Sequence, residues 1–213
     1  MRLRVTYSKT GLIRFISHLD LMRLLFRAFA RAEIPVAYSQ GFSPHPRFEF
    51  CPPLKVGMAG LGELFEVELL AEIDIPAAIG TLNGTLPSGV GFLGARMLSP
   101  SERPMSKAIS GAEYAALLPK GWALSPGDLE AFLSRSAVPV IGVREGRTGV
   151  TDARRGVRAL SLSLGDDERR ELQIGVSLPG ARPTDVLKAL TGKPEEELKG
   201  ALWRRIRFMG EGL

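Results

Sequence analysis

Five prolines fall between Pro35 and Pro53, and this run, inside Val36–Leu70, limits the fold more than any other feature of the chain. Each proline fixes φ and removes a backbone donor, so no helix passes through the segment. What remains is a stiffened connection between two segments that read as paired strands, holding side chains in set directions. It contains His45, one of two histidines, and Cys51, the only cysteine.

On either side of this connection the hydrophobic period changes in a regular order. Met1–Tyr7 alternates Leu3, Val5 and Tyr7 against Arg2, Arg4 and Thr6, the period of a half-buried strand. A helix follows, with Ser17 and Asp20 at capping-box spacing and Leu19, Met22, Leu25, Phe26 and Phe29 as its apolar stripe, ending before Pro35. Phe48–Cys51 and Glu63–Leu70 are expected as strands, the second setting Phe65, Val67 and Leu69 against Glu66 and Glu68. Pro76–Leu82 is expected as a short helix and Val90–Leu98 as a fourth strand. Strand–helix–strand–strand–helix–strand is the order of a ferredoxin-like unit.

The plan then recurs. After a polar, proline-punctuated linker at 100–106, the expected elements are a strand at Ala108–Leu118, a helix at Pro126–Ser134, strands at Val138–Arg144, Val157–Leu164 and Glu171–Leu178, a helix at Pro183–Leu190 closed by Gly192, and a strand at Leu202–Met209. The fold class expected is α+β: two tandem ferredoxin-like modules with antiparallel sheets, 1–99 and 107–213, the second with an extra strand. One continuous domain is the alternative. Each sheet would carry helices on one face and leave the other for contacts.

The 213 residues, 45% of them hydrophobic, suffice for such cores. One cysteine and two histidines provide no set of ligands for structural zinc or an iron–sulfur cluster, and no metal site is expected. No apolar run reaches the roughly 18–20 residues of a membrane span, and the N-terminus lacks a secretory core, so a cytoplasmic protein without membrane contact is expected. The net charge is +5, and the basic set is mostly arginine, the side chain best suited to forked phosphate recognition.

Three basic groups could carry binding. Arg23, Arg27 and Arg31 recur every four residues and line one side of the first helix, either as a phosphate-binding ridge or as an ordinary solvated face. In the last strand Trp203, Arg205 and Arg207 share a face, suited to base stacking with phosphate neutralisation or to blunting a sheet edge. A further basic group, Arg144, Arg147, Arg154, Arg155 and Arg158, flanks a turn expected at Glu145–Gly149. With Arg47, these arginines favour an acidic polymer as partner.

His18, Asp20 and His45 are the residues from which acid–base chemistry could be assembled, one histidine acting on a ribose hydroxyl and the other protonating the leaving oxygen. Asp20 is equally explained as a first-turn helix residue, His18 as an exposed one, and His45 as part of a rigid turn. The G-x-x-G-x-G run Gly57–Gly62 precedes a strand rather than a helix, so it reads as a hairpin connection and not a phosphate loop. Signatures of P-loop NTPases, serine hydrolases and zincins are absent from the sequence.

Several of these segments resemble a known family. Arg4-Val-Thr-Tyr-Ser-Lys, Phe15-Ile-Ser-His-Leu-Asp20, Gly41-Phe-Ser-Pro-His-Pro-Arg47, Pro53-Leu-Lys-Val-Gly57 and Glu63 are similar to the radical-SAM-linked family of uncharacterised bacterial proteins. Val143–Arg154 and Arg182–Leu190 are similar to it in the second half. That resemblance implies a chain found alone or fused behind a radical SAM protein, often encoded beside a ribonuclease of the E/G type and ribosomal protein genes. It implies a radical SAM partner that carries S-adenosylmethionine and the iron–sulfur cluster, because this chain has no C-x-x-x-C-x-x-C, and no cofactor bound by the chain itself. The tandem plan also resembles that of RNA-binding and RNA-cleaving proteins of CRISPR systems, some of which cut RNA without metal.

The expected function is therefore a non-catalytic RNA-binding accessory module, acting with a radical SAM partner in RNA modification or processing. The first alternative is a metal-independent endoribonuclease using His18 and His45, with Asp20 orienting His18. The second is a protein scaffold that docks through Phe42, Pro44 and Pro46 without nucleic acid.

Overall fold

A computed structural model describes every residue except Glu145, Gly146 and Asp166, with the backbone alone for Val143, Arg144 and Arg147. The chain is α+β and divides into two compact units, the first formed by Met1–Ile109 with Gly210–Leu213 and the second by Ser110–Met209.

In the first unit β1 (Arg2–Lys9) leads through a 3-10 turn (Gly11–Phe15) into α1 (His18–Arg31), followed by β2 (Phe48–Phe50), β3 (Ala59–Glu68), α2 (Ile75–Thr85) and β4 (Val90–Leu98). The strands lie in the order β4-β1-β3-β2 and the pairings are antiparallel. Leu3 stands opposite Val67 and Val5 opposite Phe65, so the apolar phases of β1 and β3 face the same side. Onto that side α1 lays Leu21, Leu25 and Phe29, and α2 lays Leu82. Ser17 starts α1 by accepting from the Asp20 amide at 3.1 Å, and Asp74 caps α2 in the same way at the Ala77 amide. Phe65, wholly buried, meets Phe29 at 5.8 Å and Phe92 at 5.9 Å between ring centroids. Truncating such a residue to Ala costs about 3–5 kcal/mol.

The opposite face of this sheet is not left open as expected. Residues 99–108, including the short helix α3 (Met105–Ala108), and residues 210–213 supply its partners. Met105 is wholly buried beside the Cys51 Sγ at 3.3 Å, the Ser106 amide donates to Glu49, and the Gly212 carbonyl accepts from both Arg4 and Arg96. The segment expected as a linker at 100–106 is thus part of the first unit, and the division falls after Ile109. Gly210 is required there, since a Cβ would lie 2.0 Å from the Ala108 carbonyl oxygen.

The second unit contains β5 (Ile109–Leu117), α4 (Pro126–Leu133), β6 (Pro139–Arg144), β7 (Arg147–Asp152), β8 (Val157–Leu164), β9 (Arg170–Ser177), α5 (Pro183–Thr191), α6 (Glu195–Leu198) and β10 (Leu202–Gly210). Its sheet runs β10-β5-β9-β8, the strand order of the first unit once β6 and β7 are set aside. Those two form a separate antiparallel hairpin, so the surplus expected as one strand is a pair. Glu145 and Gly146 of the expected turn lie outside the described residues, and Gly149 is within β7. The hairpin is tied to α5 by Thr151, which donates to Asp185 at 3.2 Å, and by Lys188, which donates to the Ile141 carbonyl at 2.6 Å. Gly192 ends α5 at φ 64°, as a left-handed C-cap.

Candidate functional site

The 3.6-residue period of α1 that buries Leu21, Leu25, Ala28 and Phe29 turns Arg23, Arg27 and Arg31 outward, and all three are exposed. Arg23 touches Asp20 at 3.5 Å. Among the described residues, Arg27 and Arg31 have no ion-pair partner. This contrasts with Arg2, Arg4, Arg47, Arg96, Arg182, Arg204 and Arg207, each of which meets a carboxylate. Guanidinium groups without an internal counter-ion remain available to phosphates.

Between α1 and β2 the chain forms a narrow ribbon. Val36 bridges to Leu69 and Tyr38 to Pro46, and the Ser39 amide donates to the His45 carbonyl at 2.9 Å while Ser39 Oγ accepts from the His45 amide at 3.0 Å. Phe42 and Pro44 are exposed near its tip, and Pro46 is partly covered. Where the ribbon ends, Phe48 and Phe50 of β2 pack against Phe26 of α1 at 4.9 and 6.3 Å. Arg47 is held by Glu68 at 2.7 Å. Beside it, Arg2, Arg47, Glu49, Glu66 and Glu68 line a cavity of ≈ 230 Å³ whose three carboxylates disfavour an anion.

A second cluster lies at the N-terminal end of α1. Tyr7, Lys9, His18, Cys51 and Glu63 line a pocket of ≈ 10 Å³, closed by Leu21, Pro53 and Leu54, with room for about one water molecule. Lys9 is 2% exposed and donates from Nζ to the Ile16 carbonyl at 2.9 Å. Burial pushes its ammonium below the ordinary lysine value, against the attraction of the Glu63 carboxylate. The His18 imidazole, edge-on to Phe50 at 5.5 Å, is pushed down by burial and then by the Lys9 charge. Gly60, opposite Lys9 across the β1–β3 pair, leaves space for Glu63, because a Cβ there would stand 2.5 Å from the Glu63 Cγ. Amine, imidazole, carboxylate and phenol together make a partly desolvated set able to hold or pass a proton.

His18 thus belongs to this pocket, whereas His45 is exposed on the ribbon and is not among the lining residues; Asp20 is exposed and accepts from Ser17 Oγ at 2.7 Å. Of the three residues expected to act together, His18 alone lines this pocket. Tyr7, Lys9 and Glu63 were not singled out as site residues, yet a signal exists. Lys9 continues the phase of Leu3, Val5 and Tyr7, and Glu63 is in phase with Phe65 and Val67, so each is a charge on the buried face of its strand.

In the second unit the expected group Trp203, Arg205 and Arg207 does not form an open platform. Trp203 is half-buried, and Arg205 is 2% exposed with its guanidinium 4.1 Å from the Phe208 ring centroid. Arg207 forms a two-point pair with Glu113 at 2.8 and 2.9 Å, which holds that carboxyl below its usual range. Arg154 donates to the carbonyls of Leu133 and Val157 and so braces the turn before β8; Arg155 is exposed.

Among the described residues no group of three or more His, Cys, Asp or Glu side chains is placed to hold a metal ion, and no helix is long and apolar enough to cross a membrane. No curated protein matches the chain. A solved structure described as "putative glycine cleavage system transcriptional repressor" is similar at 10% identity over 99% of this chain and 98% of that one, with a TM-score of 0.24. A family model matches residues 2–186, from β1 into α5, and the chain belongs to that family, described as an uncharacterized protein conserved in bacteria (DUF2344).

Proposed function

We propose that the chain is a non-catalytic RNA-binding accessory module, built from two ferredoxin-like units, that presents RNA to a radical SAM partner carrying the cluster and S-adenosylmethionine. The observation that carries this reading is the exposed α1 ridge, where Arg27 and Arg31 have no carboxylate to neutralise them among the described residues while most other arginines do. Guanidinium groups repeating every four residues lie about 6 Å apart along a helix, comparable to the phosphate spacing of an RNA strand. The βαββαβ order of the first unit, repeated in the second once the β6–β7 hairpin is set aside, supports the ferredoxin-like assignment. The link to a radical SAM protein rests on the resemblance of the motifs.

Acid–base roles for His18 and His45 are not part of the proposal, because His18 faces a pocket that His45 does not line. The test is an RNA-binding titration at several salt concentrations with the wild type and the Arg23→Ala/Arg27→Ala/Arg31→Ala protein. A steep salt dependence that flattens in the variant supports the reading. Absence of binding by the wild type at low salt, or identical curves for both proteins, refutes it.

A further inference from the structure

Phe42 is wholly exposed, more so than any other large apolar side chain among the described residues. It stands on a braced support. The ribbon beneath it is closed by the Tyr38–Pro46 bridge, by the Arg47 amide donating to the Ala37 carbonyl at 2.8 Å, and by the Ser39–His45 bonds. Pro44 and Pro46 fix two φ angles, and Gly41 turns the tip at φ 125°, a conformation a larger residue resists. Presenting an aromatic ring this way leaves little entropy to lose when the ring is covered.

The surroundings favour a nucleobase as its cover. From Ala37 to Arg47 the ribbon has no Asp or Glu, and it carries the half-exposed Tyr38 as a second ring. Its base runs directly into Phe48, which packs on Phe26, and Phe26 lies between Arg23 and Arg27 in sequence on α1. One aromatic layer therefore joins the ribbon to the helix that bears the cationic ridge.

We propose that this ribbon is the base-stacking finger of the RNA site: the α1 arginines hold phosphates and the Phe42 ring takes the face of an unpaired base. The ligand class is single-stranded RNA, or an RNA loop, because the base faces of a duplex are already stacked. This inference rests on the RNA-binding reading.

The experiment measures fluorescence anisotropy of a fluorescein-labelled single-stranded RNA of mixed sequence and of a blunt duplex of the same sequence. The proteins are wild type, Phe42→Ala, Phe42→Trp and Arg27→Ala/Arg31→Ala. Phe42→Ala is expected to weaken single-strand binding about tenfold with the salt slope unchanged. Duplex binding stays as it was, and Phe42→Trp retains wild-type affinity. Phe42→Ala binding the single strand like wild type overturns the finger even if the arginine variant is defective, which leaves the RNA reading standing. Equal losses on both RNAs also overturn it. Wild type binding neither RNA at low salt removes the RNA reading and this inference together. Unchanged RNA binding with loss of a copurifying protein would make the ribbon a protein-docking element instead.

Discussion

Arg4 and Glu66 stand in register across β1 and β3, and the guanidinium meets one carboxylate oxygen twice, at 3.1 Å through Nε and 2.7 Å through Nη2. Both side chains are nearly fully buried. The face of the sheet turned away from the helices is therefore polar but largely closed to solvent, with Arg2 adding a contact to Glu66 at 3.2 Å and the Gly212 carbonyl accepting from Arg4.

Removing one partner of such a pair leaves the other desolvated. Arg4→Met should destabilise the protein by about 3 kcal/mol, the low end of the usual range because Arg2 still reaches Glu66. Arg4→Met combined with Glu66→Gln should recover part of the loss. Urea unfolding followed by circular dichroism measures both; an Arg4→Met midpoint equal to wild type would show that the pair contributes nothing.

His18 gives the fold a defined response to acid. Its imidazole is pushed below the ordinary value of 6.5 by burial, so the unfolded chain takes up the proton first as pH falls. The contribution is fully present above pH 6.5 and declines below it. Lys9 works in the same sense in a higher window: its ammonium is held below 10.5, so its contribution to stability rises as pH climbs toward that value. His18→Gln should flatten the stability profile below pH 6.5, with Tyr7, Lys9, Cys51 and Glu63 unchanged around it. Unfolding free energies at a series of pH values decide this, and a variant with the wild-type slope would assign the acid response to other groups.

The sequence made some of this readable and concealed the rest for physical reasons. Strand periods located β4 and β8 at their observed bounds and β1 to within two residues, because alternation such as that of Leu3, Val5 and Tyr7 is a local property of the chain. Arg4 and Glu66 defeated the same logic. They alternate with apolar residues, which reads as a solvated face, yet they are buried by residues 99–108 and 210–213, contributed from remote sequence. The α1 ridge was visible because helical spacing alone sets it. Burial of Arg205 was hidden because the ring under its guanidinium, Phe208, belongs by simple alternation to the other face.

Within the ridge, the three arginines should not be equal. Arg23 shares its charge with Asp20 at 3.5 Å, whereas Arg27 and Arg31 have no such neighbour among the described residues. Each phosphate contact to single-stranded RNA lost should lower the salt slope by about 0.7. Arg27→Ala and Arg31→Ala should each approach that value and Arg23→Ala should fall short of it. Titrations at four or more salt concentrations resolve the difference, and equal effects at all three positions would remove any role for the Asp20 contact.

Arg205 and Arg207 provide the opposite case, two arginines in β10 whose different surroundings predict different losses. Arg205 is buried with its guanidinium 4.1 Å from the Phe208 ring centroid and 6.0 Å from that of Tyr114, so its stem and its charge both lie against aromatic rings. Arg205→Ala should cost about 2 kcal/mol of stability, through lost packing and lost contact with the rings. Arg207 is exposed, and its pair with Glu113 is open to solvent and screened by salt, so Arg207→Ala should leave thermal stability unchanged. Neither substitution should alter RNA affinity at a temperature where both proteins are folded, because the α1 ridge does not include them. Melting curves and the same anisotropy titrations test the two halves of this expectation. A large affinity loss in folded Arg205→Ala or Arg207→Ala protein would return β10 to the RNA surface.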